Sequence, residues 1–198
     1  GRLGITYNTK FGKNYNNFLE VTGYGTIKDL TRTAATYRIF TRYGVGSNFR
    51  FINQSRIAGR SNEFSVGGDF YYQTGPINEF NNIGGIRGDE LQAITDETIS
   101  NIGFYFTEQY YLYKDYLSLL ITGRYDRVNV AASNLLAGFQ DTSRLFDEFT
   151  PKFAINYKFN PSMSVFGSFG WGFDTPANNE LDNFPFSSDG GLKLINPD

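Results

Sequence analysis

The fold is decided by the stretch 149-FTPKFAINYKFNPSMSVFGSFGWGF-173. From Phe149 to Phe159 every odd position is apolar, whereas Thr, Lys, Ala and Asn occupy the even positions. Because successive side chains of a strand point to opposite faces, this pattern predicts a strand with one apolar and one polar face. Asn160-Pro161-Ser162 predicts a tight turn. The return strand then gathers its apolar side chains on one face: Met163, Val165, Phe169, Trp171 and Phe173. This hairpin is typical of strands that cross a bilayer and carry aromatic residues at its interface.

Composition narrows the class of protein. The 198 residues suit one domain, and 18% aromatic residues with 22 glycines favour strands and tight turns over helices. The chain has no His and no Cys, which excludes Ser-His-Asp and Cys-His catalytic sites and the usual zinc ligands. We therefore predict no catalytic residues, no metal site, no cofactor and no enzyme activity. A net charge of -2 argues against nucleic acid as the main partner.

The alternating pattern recurs along the chain and predicts about eight strands of roughly 10–14 residues. Between them, short connections alternate with long ones. Short turns are predicted at 11–17, 58–62, 114–115 and 160–162, and long loops at 29–43, 76–97, 131–148 and after 173. The segment Thr36–Phe40 (TYRIF) has a second interpretation, as a strand. Short turns at one end of a sheet and long loops at the other are typical of outer-membrane barrels.

A soluble β-sandwich is the alternative, since its strands also alternate. Three features favour the membrane barrel: long strands, alternating connection lengths, and charges spread along the polar parity, where a hydrated lumen keeps them solvated. Those charges are Glu20, Arg50, Asp69, Arg124, Asp126, Lys152 and Lys158. We expect Leu119, Phe153, Ile155, Tyr157, Val165 and Phe169 to contact lipid, and Asp69, Arg124, Lys152 and Asn156 to face the lumen. Tyr125, Trp171 and Phe173 are predicted at the membrane interface.

Four segments together resemble the TonB-dependent outer-membrane receptors. They are GRYDRV (Gly123–Val128), FGSFGWGFDTPANNEL (Phe166–Leu181), NEFSVGGDFYY (Asn62–Tyr72) and YFTEQYYL (Tyr105–Leu112). They occur in the family's order, and the chain looks most similar to the branch that includes siderophore and ferric citrate receptors. Asp174 departs from the pattern, because many members carry a basic residue there.

The resemblance implies an all-β, antiparallel transmembrane barrel of about 22 strands, of which residues 1–198 would supply about eight. The plug domain, the TonB-contacting segment and the C-terminal strands are then expected elsewhere in a longer receptor. The implied location is the bacterial outer membrane. The implied partners are an iron chelate, outer-membrane lipid and, through the plug, a TonB-type periplasmic protein.

The resemblance implies energy-coupled uptake of a scarce ligand, most simply an iron–siderophore or ferric dicarboxylate complex. Two alternatives stay open: a passive porin-like channel and a soluble carbohydrate-binding sandwich. The predicted outer loops carry side chains suited to an anionic, oxygen-rich chelate. These candidate ligand-binding residues are Arg38, Arg42, Asn81, Asn82 and Arg87. The less specific interpretation of the arginines is loop solubility and contact with lipopolysaccharide.

Overall fold

The computed structural model describes residues 1–113, 116–136 and 141–174. Within them lie eight strands and one short 3₁₀ turn, Lys13–Tyr15. The strands are β1 Arg2–Phe11, β2 Asn17–Thr33, β3 Thr36–Ile57, β4 Arg60–Ile83, β5 Ile86–Tyr113, β6 Leu117–Asn134, β7 Asp141–Asn160 and β8 Met163–Gly170. Each strand pairs antiparallel with the next, in the order β1 to β8 within one sheet. The predicted all-β antiparallel fold is confirmed.

The first predicted long loop, 29–43, is wrong. β2 and β3 continue through it as a ladder that runs from Asp29 paired with Thr41 to Thr33 paired with Tyr37. Only Ala34 and Ala35 separate the two strands. The Thr36–Phe40 segment is therefore a strand, as its second interpretation had it. The polar residues of 29–33 misled the prediction, because a paired strand that is exposed on both faces needs no apolar parity.

The second predicted long loop, 76–97, is also a hairpin. β4 reaches Ile83 and β5 starts at Ile86, joined by Gly84 and Gly85 with φ values of 59° and 92°. Two consecutive residues with positive φ are what a two-residue hairpin turn requires, and glycine supplies them without strain. The β3–β4 ladder omits the Gly75-Pro76 step, because proline has no N–H to donate.

The third predicted loop, 131–148, is largely strand as well, since β6 runs to Asn134 and β7 starts at Asp141. Residues 137–140, the predicted turn 114–115, and 175–198 of the final predicted loop lie outside the described residues. The short turns predicted at 11–17, 58–62 and 160–162 are confirmed. The strands are accordingly longer than predicted, up to the 28 residues of β5.

The register confirms the two predicted faces. Leu119 pairs with Ile155, and Phe153 lies between Ile121 and Phe169 in one cross-strand row. We call the side of the sheet that carries these residues the apolar face, and the opposite side, which carries Asp69, Arg124, Lys152 and Asn156, the polar face. On the apolar face most large side chains are exposed; on β1, Leu3 and Ile5 are 82% and 78% exposed.

The apolar face is a band of limited height. On β4 it runs from Phe64 to Tyr72 and on β7 from Phe149 to Phe159, close to the 9–11 residues of a tilted bilayer crossing. Beyond the band, towards the 34–35 and 84–85 turns, the same face becomes mixed, because polar residues stand among apolar ones such as Ile39, Phe80 and Ile94. Residues there include Asp29, Thr31, Asn78, Asp96, Asn129 and Asp147. The six strands β2 to β7 thus extend past the band as a paired sheet, which we call the extension.

No second layer packs on this sheet within the described residues. A sandwich would bury one face of each sheet against the other, whereas here only Ile77, Val128 and Val130 are buried apolar residues among those described. The described residues include no helix that is long and apolar enough to cross a membrane.

Candidate functional site

Arg124 on β6 forms a charge network on the polar face. Its Nη1 lies 2.9 Å from Asp69 Oδ1 on β4, its Nη2 lies 2.6 Å from Asp126 Oδ1, and its Nε donates to Asp126 Oδ2 at 2.7 Å. Gly103 on β5 sits between the two carboxylates in the register, and a Cβ there would lie 2.3 Å from Arg124 Nη2. The glycine therefore lets the guanidinium lie across β5 and link β6 to β4.

Two more arginines pair with carboxylates of neighbouring strands in the extension. Arg38 Nε lies 3.0 Å from Glu79 Oε2. Arg42 Nη2 pairs with Glu97, and its Nη1 donates to the Gly75 carbonyl oxygen at 3.0 Å. The hydrogen bond to Gly75 connects β3 and β4 where the Gly75-Pro76 step interrupts the ladder between them. Together with the Glu97 pair, it holds the Arg42 side chain on the polar face.

Beside Arg42 the polar face carries a compact set of donors. Lys28 is the register partner of Arg42, which puts two cations directly opposite each other. Next to them, Tyr71 donates from its hydroxyl to Gln73 Oε1 at 2.9 Å and stacks on Tyr24 at a ring distance of 6.3 Å. A cavity of about 740 Å³ opens here; its lining is Gly1, Thr26, Ile27, Lys28, Asp29, Arg42, Tyr71 and Gln73. We call Lys28, Arg42, Tyr71 and Gln73 the donor cluster.

Like charges that face each other across two strands repel, so an anion between them is favoured. Glu97 partly balances Arg42, and Asp29 borders the cavity. The described residues contain no ion pair of Lys28. An arginine held in place, the Lys28 ammonium and the amide N–H groups of Gln73 can together bind an oxygen-rich anionic molecule.

The structure does not bring the five candidate ligand residues together. Arg38, Arg42 and Asn81 lie on the polar face, whereas Asn82 and Arg87 pair with each other on the opposite face. The arginine of this pair stacks over Phe80 at 4.9 Å.

The two asparagines hold the hairpin tips. Asn82 Nδ2 donates to the Ala34 carbonyl oxygen at 2.6 Å, and its Oδ1 accepts from the Gly85 amide. Asn81 Oδ1 accepts from the Glu90 amide at 3.2 Å. Each asparagine therefore already has a partner within the chain.

The residues predicted at the membrane interface also fall on both faces of the sheet. Tyr125 and Trp171 follow the apolar face, and Trp171 packs edge-to-face on Phe169 at 4.9 Å. Phe173 instead packs with Ile99, Val128, Val130 and Phe146, on the polar face. The alternation fails there because β8 ends at Gly170 and Phe173 follows no ladder.

Sequence reasoning missed Lys28, Tyr71, Gln73 and Glu97 as site residues, since they come from three separate strands. Only the register, which the misassigned loops obscured, would have shown them as neighbours. The described residues hold no group of three or more Asp, Glu, His or Cys side chains that could bind a metal ion.

A single antiparallel sheet with a bilayer-high apolar band, a charged opposite face and a long paired extension defines part of the wall of a membrane β-barrel. Residues 1–198 match the model of the family described as TonB dependent receptor-like, beta-barrel. The chain belongs to this family, whose members are proteins of the bacterial outer membrane, and the predicted location is confirmed.

Solved structures agree on the fold. The ferric citrate transporter FecA in its unliganded form is 11% identical, with a TM-score of 0.70 over 84% of this chain and 26% of that chain. The ferric-catecholate import receptor Fiu of E. coli K12 is 10% identical, with a TM-score of 0.65 over 85% of this chain and 34% of that one.

The ferripyoverdine receptor of the Pseudomonas aeruginosa outer membrane is 16% identical, with a TM-score of 0.61 over 85% of this chain and 26% of that one. This chain thus spans about a quarter to a third of the length of these receptors. The curated proteins include no match to it.

Proposed function

We propose that this chain forms part of the wall of a receptor that takes up an anionic ferric chelate across the outer membrane by energy coupling. Family membership supports the receptor class. The structural neighbours include a ferric citrate transporter, a ferric-catecholate import receptor and a ferripyoverdine receptor, which makes an iron chelate the first ligand class to test. On this proposal the apolar face meets lipid and the polar face lines the lumen.

The observation that carries the proposal is the direct pairing of Lys28 with Arg42 on the polar face. Arg42 has five N–H donors, and Glu97 and the Gly75 carbonyl occupy only some of them. The remaining donors, with the Lys28 ammonium and the amide N–H groups of Gln73, suit the carboxylate, catecholate or hydroxamate oxygens of a ferric complex. A charge-assisted hydrogen bond of this kind contributes about 1.5–3 kcal/mol.

The donor cluster lies where the extension meets the apolar band. Its level is near the outer rim of the membrane if the extension is extracellular, which is the side on which such barrels carry their long segments. A ligand entering from outside would meet these donors on its way into the lumen. We further propose that the receptor includes a plug domain, and that a TonB-type periplasmic protein acts through it.

Uptake of ⁵⁵Fe tests the proposal in cells that carry the receptor as their only ferric-chelate transporter, with ferric citrate and a ferric catecholate as probes. We expect uptake of at least one chelate that stops when an uncoupler collapses the proton-motive force. Uptake that persists in the uncoupler would indicate a passive channel instead.

Two arginine-to-alanine variants, one on each face of the sheet, test the location of the binding site. Arg42→Ala should weaken chelate binding by about 10- to 150-fold, the equivalent of about 1.5–3 kcal/mol. Arg87→Ala, on the opposite face, should leave binding unchanged at equal surface expression. Equal affinities of the two variants would move the site away from the donor cluster.

A further inference from the structure

Two pairs of cations face each other across β2 and β3 on the polar face of the extension. Lys28 is the register partner of Arg42. Four residues nearer the β2–β3 turn, Arg32 is the register partner of Arg38. We call the first pair, which belongs to the donor cluster, the inner rung, and the second pair the outer rung. Because like charges directly opposite each other on a sheet repel, each rung favours an anion between its two side chains.

Each rung keeps a positive charge after its ion pairs are counted. Glu79 of β4 pairs with Arg38 at 3.0 Å, and Glu97 of β5 pairs with Arg42. Arg32, like the lysine of the inner rung, has no ion pair among the residues that the structure describes. Two cations and one carboxylate leave each rung with one positive charge in excess, and the unpaired cation of each rung lies on β2.

An apolar row separates the two rungs. Leu30 of β2 is the register partner of Phe40 of β3, and Phe40 is the register partner of Ile77 of β4. Leu30 is 48% exposed, although it lies on the polar face. Because a strand rises about 3.3 Å per residue, the rungs lie about 13 Å apart along β2. The polar face of the extension thus presents positive, apolar and positive groups in that order.

The arginine of each rung is held against the sheet, whereas its partner on β2 is open to solvent. The side chains of Arg42 and Arg38 are 15% and 36% exposed. The Arg42 guanidinium also lies over the Phe40 ring, 5.7 Å from its centroid. Lys28 and Arg32 are exposed. Each rung therefore combines a fixed arginine with a cation that can turn towards a carboxylate and form charge-assisted hydrogen bonds.

We propose that the two rungs bind the two ends of one ligand, a dianion with an apolar middle. One anionic end accepts hydrogen bonds from the inner rung, the other end accepts them from the outer rung, and the middle lies over the apolar row. For the iron chelate of the proposed function, on which this inference rests, the ligand is a chelate with an anionic head, an apolar linker and a terminal carboxylate. A chelate with a single anionic group uses the inner rung alone.

Two matched probes test whether both ends of a ligand are bound. Biphenyl-4,4′-dicarboxylate is a rigid dianion with an apolar middle, and its monomethyl ester keeps the same rings but only one charge. Equilibrium dialysis of the intact receptor in phosphatidylcholine nanodiscs, with empty nanodiscs as the blank, gives a dissociation constant for each probe. The wild type should bind the dicarboxylate about tenfold more tightly than the ester, because the ester lacks one charge-assisted end.

Three variants locate the two ends. Arg32→Gln should weaken binding of the dicarboxylate by about tenfold. It should leave binding of the ester unchanged, which also shows that the variant is folded. Arg42→Ala should weaken binding of both probes, because each of them uses the inner rung. Arg87→Gln removes the same charge from the opposite face of the extension and should leave both dissociation constants unchanged.

The possible results separate this inference from the proposed function, because neither probe contains iron. Equal affinities of the wild type for the two probes, no binding of either probe, or a preference that survives Arg32→Gln would overturn the two-ended site. Any of these results together with uptake of ⁵⁵Fe would leave the proposed function in place and remove the outer rung from the binding site. A preference that Arg32→Gln abolishes, without uptake of ⁵⁵Fe, would support the two-ended site and contradict the iron chelate.

Discussion

Replacing Phe153 with arginine tests the assignment of the apolar face to lipid. Phe153 lies next to the midpoint of the β7 band, Phe149–Phe159, between Ile121 and Phe169 in its cross-strand row. It is 46% exposed on a face with no protein layer over it in the described structure. In the membrane, a guanidinium at this position would therefore sit in hydrocarbon.

The size of the expected loss in folding free energy depends on how deep Phe153 lies in the bilayer. Arginine on the lipid face of a barrel costs about 2–4 kcal/mol near the bilayer midplane and about 0–1 kcal/mol near the interfaces. Because Phe153 lies near the middle of the band, we expect the larger cost, about 2–4 kcal/mol. The equilibrium between the folded and unfolded receptor should shift by about 30- to 1,000-fold, since 1.4 kcal/mol corresponds to a factor of ten.

Denaturant unfolding of the receptor in phospholipid vesicles measures this free energy. Asn156→Arg is the control, because Asn156 lies on the polar face of the same strand, opposite Ser118. It should change the free energy of unfolding by less than about 1 kcal/mol if the polar face stays hydrated. Equal losses in the two variants would refute the one-sided membrane strand.

Two other perturbations follow from the same geometry. In a receptor without other cysteines, a membrane-impermeant thiol reagent should modify Asn156→Cys and spare Ile155→Cys; the reverse result would exchange the assigned faces. Gly103→Val should push Arg124 off its two carboxylates and cost about 1–2 kcal/mol, a charge-assisted bond discounted for partial exposure. Gly23→Ala, where a Cβ meets nothing within 4 Å, is its control in the same unfolding assay, and an equal loss would show that the Arg124 network adds no stability.

The sequence predicted the faces of the strands correctly, because a period of two depends only on local backbone geometry. Ile155 and Asn156 fall on opposite faces as their parities require. The family resemblance was also visible, since its motifs are contiguous segments. Neither inference needed to know which strands are neighbours.

The extension and the donor cluster could not be predicted in the same way. The strand between Thr36 and Phe40 has bulky apolar side chains on both faces, Ile39 on one and Phe40 on the other, so its parities carry little contrast. The position of Lys28 opposite Arg42 depends on where the β2–β3 turn falls. Moving that turn by one residue would change every cross-strand neighbour beyond it. The alternating pattern assigned Phe173 to the apolar face, but Phe173 lies past the last ladder residue, where strand alternation no longer applies.

A spin-label scan along β5 tests the central claim, that this chain is a lipid-facing wall prolonged by a paired extension, most directly. Labels placed singly from Ile86 to Tyr113 report access to oxygen, which is enriched in lipid, and to a water-soluble nickel chelate. The account predicts that oxygen and nickel access alternate out of phase between Ile102 and Leu112. From Ile86 to Glu97 it predicts nickel access at both parities, with the low mobility of paired strands. Fast loop-like motion between Ile86 and Glu97, or no alternation between Ile102 and Leu112, would contradict it.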